Sequence, residues 1–171
     1  MKKYFIFIVM FLMATSAIAQ NKAIEQLFKK YSDIDGFTSV VITKNMFQLF
    51  ANVENPKNDD FLRTVKNLDF IKILSVHGES EGKSFYKEIL PAIPESQYKE
   101  LMTIKEVDSQ VRFLTMEKDG VIKELIMVSY GKEESSLIWM TGIIDMKTVA
   151  KIAGSMNVSG MENLEKAGKK E

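Results

Sequence analysis

Apolar and polar positions alternate most clearly from Val111 to Asp145, where the pattern predicts three neighbouring strands. Asp119-Gly120 lies between two such runs and is typical of a two-residue type I′ hairpin turn, because both central positions of that turn need positive φ. Gly131 to Ser135 marks the second turn. A two-residue first turn places Lys118 opposite Val121 and predicts these further pairs: Thr115 with Glu124, Leu114 with Leu125, Phe113 with Ile126, Arg112 with Met127 and Val111 with Val128. Both faces of this meander are largely apolar and need cover.

The chain before the meander shows helical and strand patterns in turn. Helical spacing predicts a helix over Lys22 to Tyr31, which ends in a turn at Asp33 to Gly36. Phe37 to Thr43 is β-branched and aromatic, which predicts a short buried strand. Phe70 to Val76 predicts a second strand, and the long connection between the two indicates that they run parallel. Four further helices are predicted from these inward-facing sets: Met46, Leu49, Phe50 and Val53; Phe61, Leu62, Val65 and Leu68; Phe85, Tyr86, Ile89 and Leu90; and Tyr98, Leu101 and Met102 within Glu95 to Ile104.

A last helix is predicted from Asp145 to Gly154, which gives the element order αβααβααβββα. This order predicts an α+β fold with a mixed, mostly antiparallel sheet of about five strands that ends in the three-strand meander. The helices are expected to pack mainly on one face. One domain is expected over residues 20–154, and the shift to Gly, Ser, Asn, Glu and Lys predicts a flexible C-terminal tail over residues 155–171.

Residues 1–19 have the pattern of a cleaved signal peptide. Lys2-Lys3 supplies the basic start, Tyr4 to Met13 the apolar run, and Ala17-Ile18-Ala19 the small residues of a cleavage site. A run of about ten apolar residues is too short to span a bilayer, which takes roughly twenty. We therefore expect an exported protein, periplasmic or extracellular, with no membrane insertion after cleavage.

Charge and cysteine content narrow the classes of partner and chemistry. The chain carries 23 basic and 23 acidic side chains, and because Lys2 and Lys3 lie in the predicted leader, the remainder carries 21 basic against 23 acidic. This balance argues against nucleic acid or an anionic membrane surface as a partner, since both attract a basic excess. The chain contains no cysteine, so it has neither a disulfide framework nor a thiol nucleophile.

Two segments invite a chemical interpretation. Gly78 to Ser84 has the composition of a phosphate-binding loop, but three residues separate its first glycine from Gly82-Lys83 where four are required. His77, the sole histidine, could form an acid/base pair with Glu79 or Glu81, although a polar residue at the rim of a strand is the simpler interpretation. Asp33 to Gly36 resembles the start of a calcium loop without the remaining ligands. We therefore predict no catalytic, cofactor-binding or metal-binding residues and no cofactor.

Four segments together resemble a known family. They are Thr38 to Phe50, Phe70 to Leu74, Glu100 to Val128, and Ser136 to Ala153, the last of which includes Thr141-Gly142. In these segments the chain resembles an exported family of Bacteroidota catalogued as a domain of unknown function, family 4252. The resemblance implies a fold and supplies no catalytic residues. It also implies a link to envelope signalling, because similar genes are often found near extracytoplasmic-function sigma factors.

The leading functional hypothesis is an exported, non-enzymatic module that binds another envelope protein, or itself as a homodimer, through an apolar face of the meander. One alternative is a carrier of a small hydrophobic ligand held between sheet and helices in a pocket lined by Met and Phe. A second alternative is a hydrolase that uses His77 with Glu79.

Overall fold

A computed structural model describes residues 21–51, 65 and 67–144. In this part of the chain three helices and six strands form an α+β fold, which confirms the predicted class: α1 (Asn21–Tyr31), β1 (Phe37–Thr43), α2 (Lys44–Ala51), β2 (Leu68–His77), α3 (Glu79–Ala92), β3 (Lys99–Lys105), β4 (Gln110–Lys118), β5 (Val121–Tyr130) and β6 (Glu134–Ile144). The predicted leader, most of the helix predicted around Phe61, the helix after Asp145 and the tail lie outside the described residues. None of the described helices is long and apolar enough to cross a membrane.

The six described strands form one open sheet in the order β1-β2-β6-β5-β4-β3. Every neighbouring pair runs antiparallel, so the sheet is not mixed, and its six strands are close to the predicted number of about five. The prediction that β1 and β2 run parallel is therefore wrong. A long connection permits either direction, and its length alone does not decide between them.

Strand β3 replaces a predicted helix. Glu95 to Ile104 shows helical spacing, yet Lys99–Lys105 pairs with β4 and places Met102 opposite Phe113. The turn between the two strands is closed by Glu106, whose backbone N–H donates to the Ser109 carbonyl at 2.9 Å. Short apolar runs fit both periods, and cross-strand packing decides in favour of the strand.

The meander from β4 to β6 confirms the predicted three strands and the first turn, and the second turn is shorter than predicted because β6 already begins at Glu134. Asp119 and Gly120 have φ of 55° and 73°, as a type I′ turn requires, and Lys118 faces Val121. Beyond these residues the predicted register is wrong by one residue, because a bulge at Lys123 leaves that residue unpaired. The observed pairs are Thr115 with Leu125, Leu114 with Ile126, Phe113 with Met127, Arg112 with Val128 and Val111 with Ser129.

Buried side chains cover both faces of the sheet. On the face that we call the α1/α3 face, the two helices bury these residues against the strands: Ile24, Phe28, Phe85, Ile89, Ile126, Leu137 and Trp139. The opposite face, which we call the α2 face, buries these: Phe47, Val65, Phe113, Leu125, Met127, Ile138 and Met140. Two of the three described helices thus share one face.

The first strand and the second helix bury less than predicted. Among the described strands β1 lies at the edge of the sheet with one neighbour. Most of its residues are exposed, and the prediction of a buried strand is wrong. Helix α2 begins directly after β1 and turns Phe47 toward the sheet. Met46 and Leu49, which were predicted to face inward, are therefore exposed.

Candidate functional site

The histidine suggested by the sequence lies at the exposed end of β2. His77 pairs across the sheet with Glu134, and Glu79 opens α3 as an exposed residue. Among the described side chains, no hydrogen bond or ion pair joins His77 to Glu79 or Glu81. This placement gives the hydrolase alternative no geometric support.

The glycines of the loop that follows His77 have structural roles. Gly78 has φ of 99° and precedes α3, and its carbonyl accepts the Gly82 N–H at 3.0 Å. Gly82 lies so close to β6 that an added Cβ would be 3.0 Å from the Ser135 Cβ. Glu79 and Glu81 lie in the first turn of α3, where carboxylates interact favourably with the helix dipole. Helix initiation and close packing therefore account for a composition that resembles a phosphate-binding loop.

The Asp33 to Gly36 segment forms the turn predicted at the end of α1. The Ser32 N–H donates to the Phe28 carbonyl at 2.9 Å, and the Phe37 N–H donates to the Ile34 carbonyl at 3.1 Å. Gly36 has φ of 87°. In the part of the chain that the structure describes, no group of three or more His, Asp and Glu side chains is placed to hold a metal ion.

A buried carboxylate, which the sequence patterns did not single out, lies on the α1/α3 face. Glu124 of β5 is 5% exposed, and its Oε2 accepts hydrogen bonds from the Tyr98 hydroxyl at 2.5 Å and from Trp139 Nε1 at 2.9 Å. Burial, together with the bond to Glu124, raises the pKa of Tyr98 far above its ordinary value, so the hydroxyl stays protonated and donates. The carboxylate therefore fixes the orientation of two large aromatic side chains.

A lysine lies on the other side of the same tryptophan. Lys72 of β2 is directly opposite Trp139, and its ammonium is 5.4 Å from that ring centroid and 5.0 Å from the Phe70 centroid. Its Nζ donates to both carboxylate oxygens of Glu25 on α1, at 2.7 and 2.5 Å. The ion pair links α1 to the sheet, and cation–π contact orients the ammonium over the two rings. Charged residues within largely apolar strands are the sequence signal that could have drawn attention to Lys72 and Glu124, although Asp69 and Lys123 give the same signal.

The two edges of the sheet differ in charge. Strand β1, with the sequence FTSVVIT, has no charged side chain, and Val40 and Val41 are 39% and 54% exposed. Strand β3, at the other edge, carries Lys99, Glu100 and Lys105 and is interrupted by a bulge at Leu101. Charges and bulges are the usual protection of an edge strand against pairing with another chain. We call the outward side of Phe37–Thr43 the β1 edge; it lacks these protections and is the candidate interaction site.

The fold and this edge define an α+β protein with an open antiparallel sheet and one unprotected edge strand. Residues 31–152 match the family model described as a domain of unknown function (DUF4252), and the chain belongs to that family. The match contains all six described strands and begins at the last residue of α1. No curated protein and no solved structure matches the chain. Thr141-Gly142, part of the resemblance, lies where the backbones of β6 and β2 come close together: an added Cβ on Gly142 would be 2.6 Å from Leu68 Cα.

Proposed function

We propose that the protein is an exported, non-enzymatic module that binds an extended strand of an envelope partner at the β1 edge. The observation that carries the proposal is the exposure of a seven-residue, uncharged strand at one side of the sheet. We infer export from the signal peptide predicted over residues 1–19. An exported protein meets other envelope proteins, and we therefore take the partner to be one of them.

An edge strand supplies its own binding chemistry. No other strand of the described residues pairs with its outward backbone N–H and C=O groups, and an extended peptide that pairs with them adds a further strand. Val40 and Val41 project to opposite faces, because successive side chains alternate across a strand. Val40 shares the α2 face with Ile42, and Val41 shares the α1/α3 face with Phe37. An incoming strand therefore gains apolar contacts on both faces as well as backbone hydrogen bonds.

The meander offers much less free apolar surface than its sequence indicates. Leu125 and Met127 are buried on the α2 face, and Ile126 and Val128 are buried on the α1/α3 face. Binding through a meander face would require removal of this cover. Strand addition at the β1 edge requires no such rearrangement, and for this reason we place the proposed interaction there.

Binding of an uncharged synthetic peptide that favours the extended conformation tests the proposal. The peptide is capped at both ends, matches β1 in length and alternates threonine with valine, so that it has strand propensity without charge. We expect saturable binding to the protein, measured by fluorescence anisotropy of a labelled peptide. Val41→Lys is expected to weaken binding at least tenfold, because it places a charge beside the incoming strand.

Leu101→Lys is the matched control, since Leu101 is an exposed apolar residue of the opposite edge strand. It should bind the peptide as the wild type does. Equal binding by both lysine variants, or no binding by a wild-type protein that is monomeric under the conditions of the assay, would refute the proposed site.

A further inference from the structure

We infer that the strand that pairs with the β1 edge is β1 of a second copy of the chain, antiparallel and related by a two-fold axis at Val40. This inference rests on the proposed function, that the β1 edge binds an extended strand, and adds the identity of the partner. The charges that flank β1 and the composition of the strand favour a second copy over an unrelated strand.

The flanking charges of β1 are complementary to themselves in an antiparallel arrangement. Asp33 and Asp35, both exposed, precede the strand, and exposed Lys44 follows it directly. Within one copy, Lys44 Nζ lies 3.6 Å from Asp69 Oδ1. Both side chains of this ion pair are largely exposed to solvent. Antiparallel pairing brings the acidic start of one β1 beside the lysine at the end of the other, at both ends of the pair. Attraction at both ends favours this orientation over a parallel one, which would place like charges together.

The strand itself contains nothing that opposes self-pairing. Val40 is the midpoint of Phe37–Thr43, so full overlap of two antiparallel copies places it opposite Val40 of the second copy. The other pairs are Thr38 with Ile42, Ser39 with Val41, and Phe37 with Thr43, and none brings two charges together. Each face gains contacts among β-branched or aromatic residues, which are the favourable cross-strand pairs of a sheet.

Strand β3 cannot form the equivalent pair without repulsion. Its sequence KELMTIK has a lysine at each end, so antiparallel self-pairing would place Lys99 opposite Lys105 of the second copy. A two-fold contact at β1 uses that edge in both copies, and of the edges formed by the described strands it leaves the charged β3 edges outside. The assembly therefore closes as a dimer with one continuous sheet and does not extend into a fibre.

Charge exchange at the two-fold position tests the inference in solution. Val40→Lys and Val40→Glu each place like charges opposite each other in a homodimer, whereas a mixture of the two variants places a lysine opposite a glutamate. By sedimentation velocity we expect a dimer for the wild type, a monomer for either variant alone, and recovery of the dimer in the mixture. Circular dichroism of each variant shows whether the fold is retained, which the exposure of Val40 favours.

A single cysteine reports the register, because the chain has no cysteine of its own. Opposed residues of antiparallel strands have Cα atoms about 4.5–5.5 Å apart, a separation that a disulfide can bridge. Under mild oxidation Val40→Cys should form a covalent dimer rapidly. Val107→Cys, at a residue that is 99% exposed in the turn between β3 and β4, should cross-link only at the slow rate of random collision.

A wild-type protein that stays monomeric at high concentration, or a Val40→Cys variant that cross-links no faster than Val107→Cys, would overturn the inference. Failure of the charge mixture to restore the dimer would also overturn the register. If these results rule out the dimer but the threonine–valine peptide still binds, the β1 edge remains a strand-binding site. Only the identification of the partner as a second copy is then refuted. If the peptide also fails to bind, the proposed function is refuted as well.

Discussion

Gly142→Ala is expected to lower the free energy of unfolding by about 2.5–6.5 kcal/mol. Gly142 lies in β6 with φ of 136°, a backbone conformation that L-residues with a side chain rarely adopt. An added Cβ would be 2.6 Å from Leu68 Cα and 3.0 Å from the Asp69 nitrogen, and it would also collide with the Asn67 carbonyl oxygen. All three atoms belong to the backbone, so a change of rotamer cannot relieve the overlap.

The magnitude has three sources. Positive φ in a residue with a side chain costs about 1–2 kcal/mol. Moving the start of β2 away from β6 disrupts packing, at about 1–3 kcal/mol. The same movement breaks the hydrogen bond from the Ile143 N–H to the Asn67 carbonyl, 2.9 Å long, which contributes about 0.5–1.5 kcal/mol.

Urea denaturation followed by circular dichroism measures this loss. Gly120→Ala is the matched control, because Gly120 also has positive φ, 73°, but no atom lies within 4 Å of its added Cβ. The control variant should lose only about 1–2 kcal/mol. A Gly142→Ala variant no less stable than Gly120→Ala, with an unchanged dependence on urea, would refute the close approach of β2 and β6.

Two further predictions concern the hydrogen bonds that the carboxylates of Glu124 and Glu88 accept. Glu124→Leu removes the carboxylate that accepts hydrogen bonds from Trp139 Nε1 and from the Tyr98 hydroxyl. We expect it to lower the free energy of unfolding by about 2–4 kcal/mol and to change the fluorescence emission of Trp139. Unchanged stability in urea would contradict the burial of Glu124. Hydrogen bonds from Lys30 and Tyr31 lower the pKa of Glu88, so its stabilisation is complete above the carboxyl pKa of the unfolded chain and is lost as pH falls through the folded value. Glu88→Gln should therefore have a lower melting temperature than the wild type at neutral pH but not in acid, and a difference that does not depend on pH would contradict the assignment.

Local signals in the sequence predicted the local parts of this fold. Asp119-Gly120 determined a turn whose two φ values are positive, and the β-branched run Phe37–Thr43 was assigned its observed bounds. The pairing partners of the strands were less accessible, because they depend on contacts between distant residues. For this reason β3 was predicted as a helix and β2 was placed parallel to β1.

The candidate site depended on the same distant contacts. An uncharged, β-branched strand is equally compatible with the centre of a sheet and with its edge, and only the order β1-β2-β6-β5-β4-β3 shows that β1 has one neighbour. Helical spacing likewise suggested that Met46 and Leu49 face inward, whereas Phe47 occupies that position. The sequence therefore identified which residues are apolar but could not show which of them are exposed.

Irregular strand pairing explains why Glu124 is buried beside Trp139. In a regular strand residues two apart share a face, yet Ile122 packs on the α2 face while Glu124 lies on the α1/α3 face. The pairing shifts between these two residues on both sides of β5, and the pairing of β2 with β6 shifts between Leu68 and Phe70, beside Gly142. Bulges redirect side chains in this way. Regular alternation counted from the Asp119-Gly120 turn would keep Glu124 on the same face as Ile122. The hydrogen bond from Trp139 Nε1 to Glu124 can therefore form only if the bulge is present.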